Sequence, residues 1–300
     1  MLYGVWTASH VAFNGNNMRE LATQFLALAD KQGASAPVMV GHRLMGMSLL
    51  QTGSIRQGRA HFDRAIALYN PAEHRQLATR FGVDSRISIL SNRSWAQWML
   101  GYPAMALADA ECALQEAREI GQPANLMYLV HLAFPLIFCG RYAEANKLLD
   151  EIITLTNERG AAYFNALAIM FQGCLFAVTS KASDSVRLMV PAVASLQSTG
   201  STLWMPLYLS SLANAYSESP EHDASKAQPY FERALTVARQ QDAKSWELRA
   251  AMSLARLWRD QGKVQQARDE LLAPVYGWFT EGFDTLDLKE AKALLEELGA

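Results

Sequence analysis

The chain repeats itself about every 40 residues, and that period leaves few folds open to it. Gly53, Gly101, Gly140, Lys181, His222 and Gly262 each stand between two apolar runs of helical spacing. Their separations are 48, 39, 41, 41 and 40 residues. Around Gly262 the pattern is plain. Leu254, Ala255 and Trp258 precede it, and Val264, Ala267 and Leu271 follow. Around Gly140 the same places hold Leu132, Ala133 and Leu136, then Tyr142, Ala145 and Leu149. A unit of this kind is a pair of helices joined by a tight turn. One pair alone exposes its apolar stripe, so the pairs must stack.

Small residues recur where two helices of a pair must approach. Gly46, Ala133, Cys174 and Ala255 fall on the first helix of their units. Gly58, Ala106, Ala145, Ala227 and Ala267 fall on the second. The spacing predicts a partial N-terminal pair over 1–33, with helices at 2–13 and 17–31. Six repeats follow at 38–69, 85–120, 123–159, 161–198, 203–240 and 244–279. A short helix over 287–298 covers the last repeat, with Asp284 and Thr285 as its N-caps. Gly33, Gly121, Gly160 and Gly200 mark helix ends. Pro135 falls inside a helix and predicts a bend. The 70–84 connection is the longest irregular stretch and carries His74, Arg75 and Arg80. It reads as a packed crossover or a functional loop.

Several stretches resemble a known family. They are LLAPVYGWFTEGFDTLDLKEAKALL (271–295), AKSWELRA (243–250), LYNPAEHR (68–75), FGVD (81–84) and WAQWMLGYP (95–103). Together they resemble the C-terminal tetratricopeptide-repeat arm of bacterial adenylate/guanylate cyclase-like proteins and predicted signalling ATPases. The resemblance spans nearly the whole chain and is most specific from Ala243 onward. It implies a regulatory or protein-binding arm in bacterial signal transduction, and it does not transfer the activity of the cyclase or NTPase domains. The 217–226 region departs from the fuller arms, as if a helical hairpin were absent. The expected fold is all-α: a tetratricopeptide-like helical-hairpin solenoid forming a right-handed superhelix.

Composition narrows the function. The 300 residues carry 27 basic and 29 acidic side chains, a net charge of -2. No global positive field recruits nucleic acid or an anionic membrane. The longest apolar run, 132–139, is too short to span a bilayer. A cytoplasmic protein is expected. Cys112, Cys139 and Cys174 are far apart on apolar helical segments and read as buried free thiols.

Enzyme chemistry finds no scaffold. Gln261-Gly262-Lys263-Val264 carries one glycine and a valine after the lysine, where a phosphate loop needs several glycines and then Ser or Thr. The Asp150–Glu151 and Asp269–Glu270 pairs are adjacent on helices, and adjacent side chains diverge. The six histidines form no metal-ligand spacing. No catalytic residue, cofactor site or metal site is expected.

A partner-binding surface remains. Helix register puts Trp95, Trp98, Met99, Phe134 and Phe138 toward the inner curve of the solenoid. They read as an aromatic groove or as core between repeats. Arg249, Arg256 and Arg259 share the first helix of the last unit and read as a clamp for a partner carboxylate or as solvated charges. The expected partner is a protein or peptide, including an attached or separately encoded NTPase or cyclase.

Overall fold

A computed structural model describes residues 2–12, 14–179, 203–217 and 224–299. Among the described residues the helices fall into hairpins. Helices Ser35–Gln51 and Ile55–Leu68 make one pair, Ser85–Met99 and Pro103–Ile120 the next. The 123–159 unit, Ala162–Val178, Met205–Ser217 with Ala224–Gln240, and Lys244–Asp260 follow in order. The predicted 183–198 helix, Lys181, Gly200 and His222 lie outside the described residues. Among the described residues there is no strand, and successive helices pack on one another from Leu2–Val11 to Ala162–Val178 and again from Met205–Ser217 to Leu286–Glu297. The fold is an all-α solenoid of helical hairpins.

Turn chemistry sets the hairpins. Gly53, Gly101, Gly140 and Gly262 all adopt positive φ, between 79° and 88°. At Gly262 the backbone N–H bonds to the Arg259 carbonyl, and the Lys263 N–H reaches back to Trp258 at 2.8 Å. That is a helix-terminating turn with no cradle for phosphate. Between helices the small residues do what the spacing required. Ala106, Ala145, Ala227 and Ala267 have no exposed surface. A Cβ on Gly46 would lie 2.8 Å from the Phe62 ring and 3.1 Å from the Gly58 carbonyl oxygen. That crossing tolerates only hydrogen on both sides.

Two helices deviate from regular geometry, both beside prolines. The first helix of the 123–159 unit divides at Leu129 into Pro123–Tyr128 and Val130–Phe138, the turn before Pro135. The last hairpin widens to π geometry over Gln266–Leu272, just ahead of Pro274. A proline offers no N–H to the carbonyl four residues back, so the preceding turn must rearrange.

The 70–84 connection is packed. It holds the short helices Pro71–His74 and Ala78–Phe81 with a 3₁₀ turn between them. His74 is buried, and its Nδ1 accepts from the Asn70 N–H at 3.0 Å. The Tyr3 hydroxyl donates to the Phe81 carbonyl at 2.6 Å, tying the N-terminal helix to this connection.

The core runs through the stack. One apolar cluster extends from Trp6 to Trp246 and another from Met205 to Leu298. The Met205–Ser217 helix joins them: Leu207 and Tyr208 belong to the first, Leu209 and Ala213 to the second. The C-terminal helix Leu286–Glu297 buries Leu288, Ala291 and Leu294 in the second cluster. Thr285 is its N-cap by position, but its hydroxyl donates to the Gly282 carbonyl instead of accepting a helix N–H.

Candidate interaction site

Of the eight candidate partner-binding residues, the five read as an aromatic groove or as core between repeats are interior. Trp95 and Trp98 are 1% exposed, Met99 and Phe134 0%, and Phe138 2%. What covers them comes from far along the chain. The Trp95 ring meets Trp204 edge-on at 4.7 Å, and Trp98 meets Trp246 at 4.8 Å. Phe134 packs on Trp204 at 5.1 Å and Phe138 on Trp246 at 5.0 Å. The Ser245 hydroxyl donates to the Trp98 carbonyl at 2.5 Å.

The solenoid therefore coils until two tryptophans, each near the start of a later helix, close over the inner face of earlier ones. The turn region follows suit: Gly101 faces Trp278, and a Cβ there would lie 2.6 Å from that ring. Helical register placed the five residues on one face. Which segment covers that face is a contact across 70 to 148 residues, and the repeat pattern does not encode it. Aromatic pairs at these separations and edge-on angles add about 0.5–1.5 kcal/mol each beyond burial. The set holds the stack together and presents nothing to a surface ligand.

The three arginines stand differently. Arg249, Arg256 and Arg259 lie seven and three residues apart, one face of Lys244–Asp260. The C-terminal helix answers them with acids. Arg249 Nη1 donates to Asp287 at 2.7 Å, Arg256 Nη2 to Glu290 at 3.3 Å, and Arg259 Nη1 to Glu297 at 2.6 Å. Arg249 also stacks over the Phe138 ring at 4.9 Å. Burial raises the Asp287 carboxyl above its usual range, and Arg249 pulls it partly back. The inner pair is thus a desolvated one, while the outer two sit in solvent.

In this structure all three arginines pair with carboxylates of the chain's own last helix. The acids went unread, although Asp287, Glu290 and Glu297 sit three and seven residues apart on one helix. Their ten-residue span matches the span from Arg249 to Arg259. Beside this ladder lies a polar cavity of about 250 Å³ whose walls include Tyr142, Ser211, Asn214, Arg249, Arg256 and Glu290.

Other candidate chemistry does not assemble. Among the described residues no three His, Cys, Asp or Glu side chains come close enough to hold a metal ion. The Asp150–Glu151 and Asp269–Glu270 pairs are exposed. The Lys263 amine bonds to the Gln261 side chain at 2.9 Å. Burial pushes the Cys139 and Cys174 thiols up to about 12, so neither is a nucleophile at neutral pH. Cys112 is half-buried and accepts from Arg86 at 3.3 Å. Among the described residues no helix is long and apolar enough to cross a membrane.

No protein-family model matches the chain, and no curated protein matches it in sequence. Among solved structures it is similar to a tetratricopeptide repeat protein from Parabacteroides merdae, with 14% identity over 100% of this chain and 99% of that one. The TM-score is 0.43. The solenoid assignment rests on the helices and turns of the chain itself.

Proposed function

We propose that the chain is a non-catalytic interaction module whose partner surface is the arginine face of Lys244–Asp260 and the polar cavity beside it. The observation that carries this reading is the ladder of Arg249–Asp287, Arg256–Glu290 and Arg259–Glu297. It is a worked case of an acidic amphipathic helix recognised by this face. Apolar residues Leu288, Ala291 and Leu294 supply burial, and guanidinium groups set the register. A protein partner presenting an acidic helix meets the same chemistry.

The finer reading concerns which partner. The stretch from Ala243 to the end is the one that most resembles the arms of bacterial cyclase-like and signalling ATPase proteins. It is also the stretch that forms the ladder. That favours an NTPase or cyclase, attached or separately encoded, as the protein that this face serves.

The test is a titration of a labelled peptide with the sequence of Leu286–Glu297. The receptors are the full chain and a full-chain Leu288→Glu variant, which unseats the resident helix. The peptide should bind the variant at least tenfold more tightly than wild type, and a peptide with its acids changed to lysine should not bind. Equal binding of both peptides, or of neither, contradicts the proposal.

A further inference from the structure

The N-terminal third of the molecule contains a buried cation with no counter-charge among the described residues. Arg43 lies on Ser35–Gln51 and is 4% exposed. Its guanidinium receives one hydrogen-bond acceptor, the Tyr3 hydroxyl oxygen at 3.3 Å. It stands 5.8 Å from the Tyr3 ring and 6.0 Å from the Phe81 ring. Among the described residues no carboxylate lies within ion-pair distance of it. Arg86 and Arg93 on the neighbouring helix meet Glu116 at 2.6 Å and Asp109 at 2.7 Å. Removing a guanidinium from water without an anion is costly, and two ring faces offset only a part of that cost.

Arg43 lines a cavity of about 250 Å³, close to the lower end of ligand-pocket sizes. The N-terminal helix contributes Tyr3, Trp6 and His10, the 70–84 connection contributes Phe81, and Ala162–Val178 contributes Tyr163. No Asp or Glu is among its lining residues. The same wall holds a second polar group besides Arg43. There Asn92 Nδ2 donates to the Tyr128 hydroxyl at 2.8 Å, and the Ser88 hydroxyl donates to the same oxygen at 3.0 Å. Asn92 Oδ1 is buried with no protein donor. The one other titratable base in the wall, His10, is held neutral: burial, then His131 and Arg43, lower its pKa to about 3. The cavity thus holds one formal charge, positive, at one end of an aromatic box.

We infer that this cavity is a binding site for a small organic anion, a monocarboxylate with a flat apolar body whose carboxylate pairs with Arg43. The aromatic walls supply burial for the body, and the guanidinium supplies the counter-charge and a two-donor fork. Inorganic phosphate fits less well, because it would leave the apolar walls unfilled and carry more charge than one guanidinium balances. The site is separate from the arginine face and does not depend on it. Its occupant would fasten the Leu2–Val11 helix to the middle of the stack, since both contribute walls.

The experiment uses the full chain, with Trp6 in the cavity wall as a fluorescence reporter and thermal melting as a second readout. Phenylacetate and 4-phenylbutyrate are compared with their neutral amides and with inorganic phosphate. The expected result is a saturable fluorescence change and a raised melting temperature with the carboxylates. The amides should bind at least about tenfold more weakly, as loss of a charge-assisted pair implies. Arg43→Met should fold, melt no lower than wild type without ligand, and lose the preference for acid over amide. The acid–amide comparison on wild type decides the matter even if that variant does not fold. No saturable response to either carboxylate, equal affinity for acid and amide, or a response to phosphate alone overturns the inference.

Discussion

The indole N–H of Trp95 donates to the carbonyl of His131 at 2.5 Å, and that carbonyl is the one that Pro135 leaves without a helical donor. A proline inside Val130–Phe138 removes the N–H that would serve the residue four places back. A tryptophan from the neighbouring repeat supplies the replacement. Trp95→Phe keeps the ring and deletes the donor, so it should cost about 1–3 kcal/mol, the penalty for a buried acceptor left unpaired. Pro135→Ala offers a helical N–H to the same oxygen. In a double-mutant cycle read by urea unfolding, the pair should cost less than the two single changes added. Strict additivity would show that the two donors do not share the carbonyl.

The crossing of paired helices is the next point of strain. Gly46→Ala places a methyl 2.8 Å from the Phe62 ring, and Ala145→Leu adds three carbons at a site with no exposed surface. Each should lower stability by about 1–3 kcal/mol. Unfolding midpoints within error of wild type would show that the helices do not cross there.

Acid should weaken the fold through its histidines. Burial lowers the His131 and His61 pKa values to about 4 and that of His10 to about 3, from an ordinary 6.5. Above pH 6.5 folded and unfolded chains hold these rings neutral alike. As pH falls from 6.5 toward 4, the unfolded chain takes up protons that the folded one refuses. The fully buried His131 and His10 then each remove about 1.4 kcal/mol of stability per pH unit, and the half-exposed His61 removes less because solvent screens it. His131→Gln should flatten the stability–pH slope between pH 6 and 5 by about that amount. An unchanged slope would mean that His131 protonates as readily in the folded chain as in the unfolded one.

The first two rungs of the arginine ladder should differ in weight. The Arg249 and Asp287 side chains are 26% and 12% exposed, and those of Arg256 and Glu290 are 42% and 45% exposed. Asp287→Asn should cost about 1–2 kcal/mol and resist added salt, because a partly desolvated guanidinium loses its anion. Glu290→Gln should cost about 0–1 kcal/mol and fade in salt. Equal costs at both positions would show that Arg249–Asp287 is as wet as its neighbour.

What could be read from the sequence was local. Hairpin boundaries follow from glycines that end helices and from apolar residues at helical spacing, so Gly53, Gly101, Gly140 and Gly262 all fall in positive-φ turns. The arginines of Lys244–Asp260 were legible as a group, and in the structure they pair with acids of the chain's own last helix. The occupants were not legible. Trp204 and Trp246 reach Trp95 and Trp98 across more than 100 residues, and stacking order in a coiled solenoid leaves no mark at that range. The buried Arg43 did leave one. A single cation stands inside the apolar run VMVGHRLMGMSLL (38–50), where a lone charge needs a reason.

The chain closes its own inner face where Trp98 touches Trp246. The direct measurement is a nuclear Overhauser spectrum of the full chain, deuterated except at tryptophan, with Trp98 and Trp246 assigned by single substitution to Phe. With ring centroids 4.8 Å apart, indole protons of the two residues should show cross-peaks. Both indoles should also resist quenching by aqueous acrylamide. No cross-peak, together with ready quenching of both rings, would describe an open groove and contradict the account.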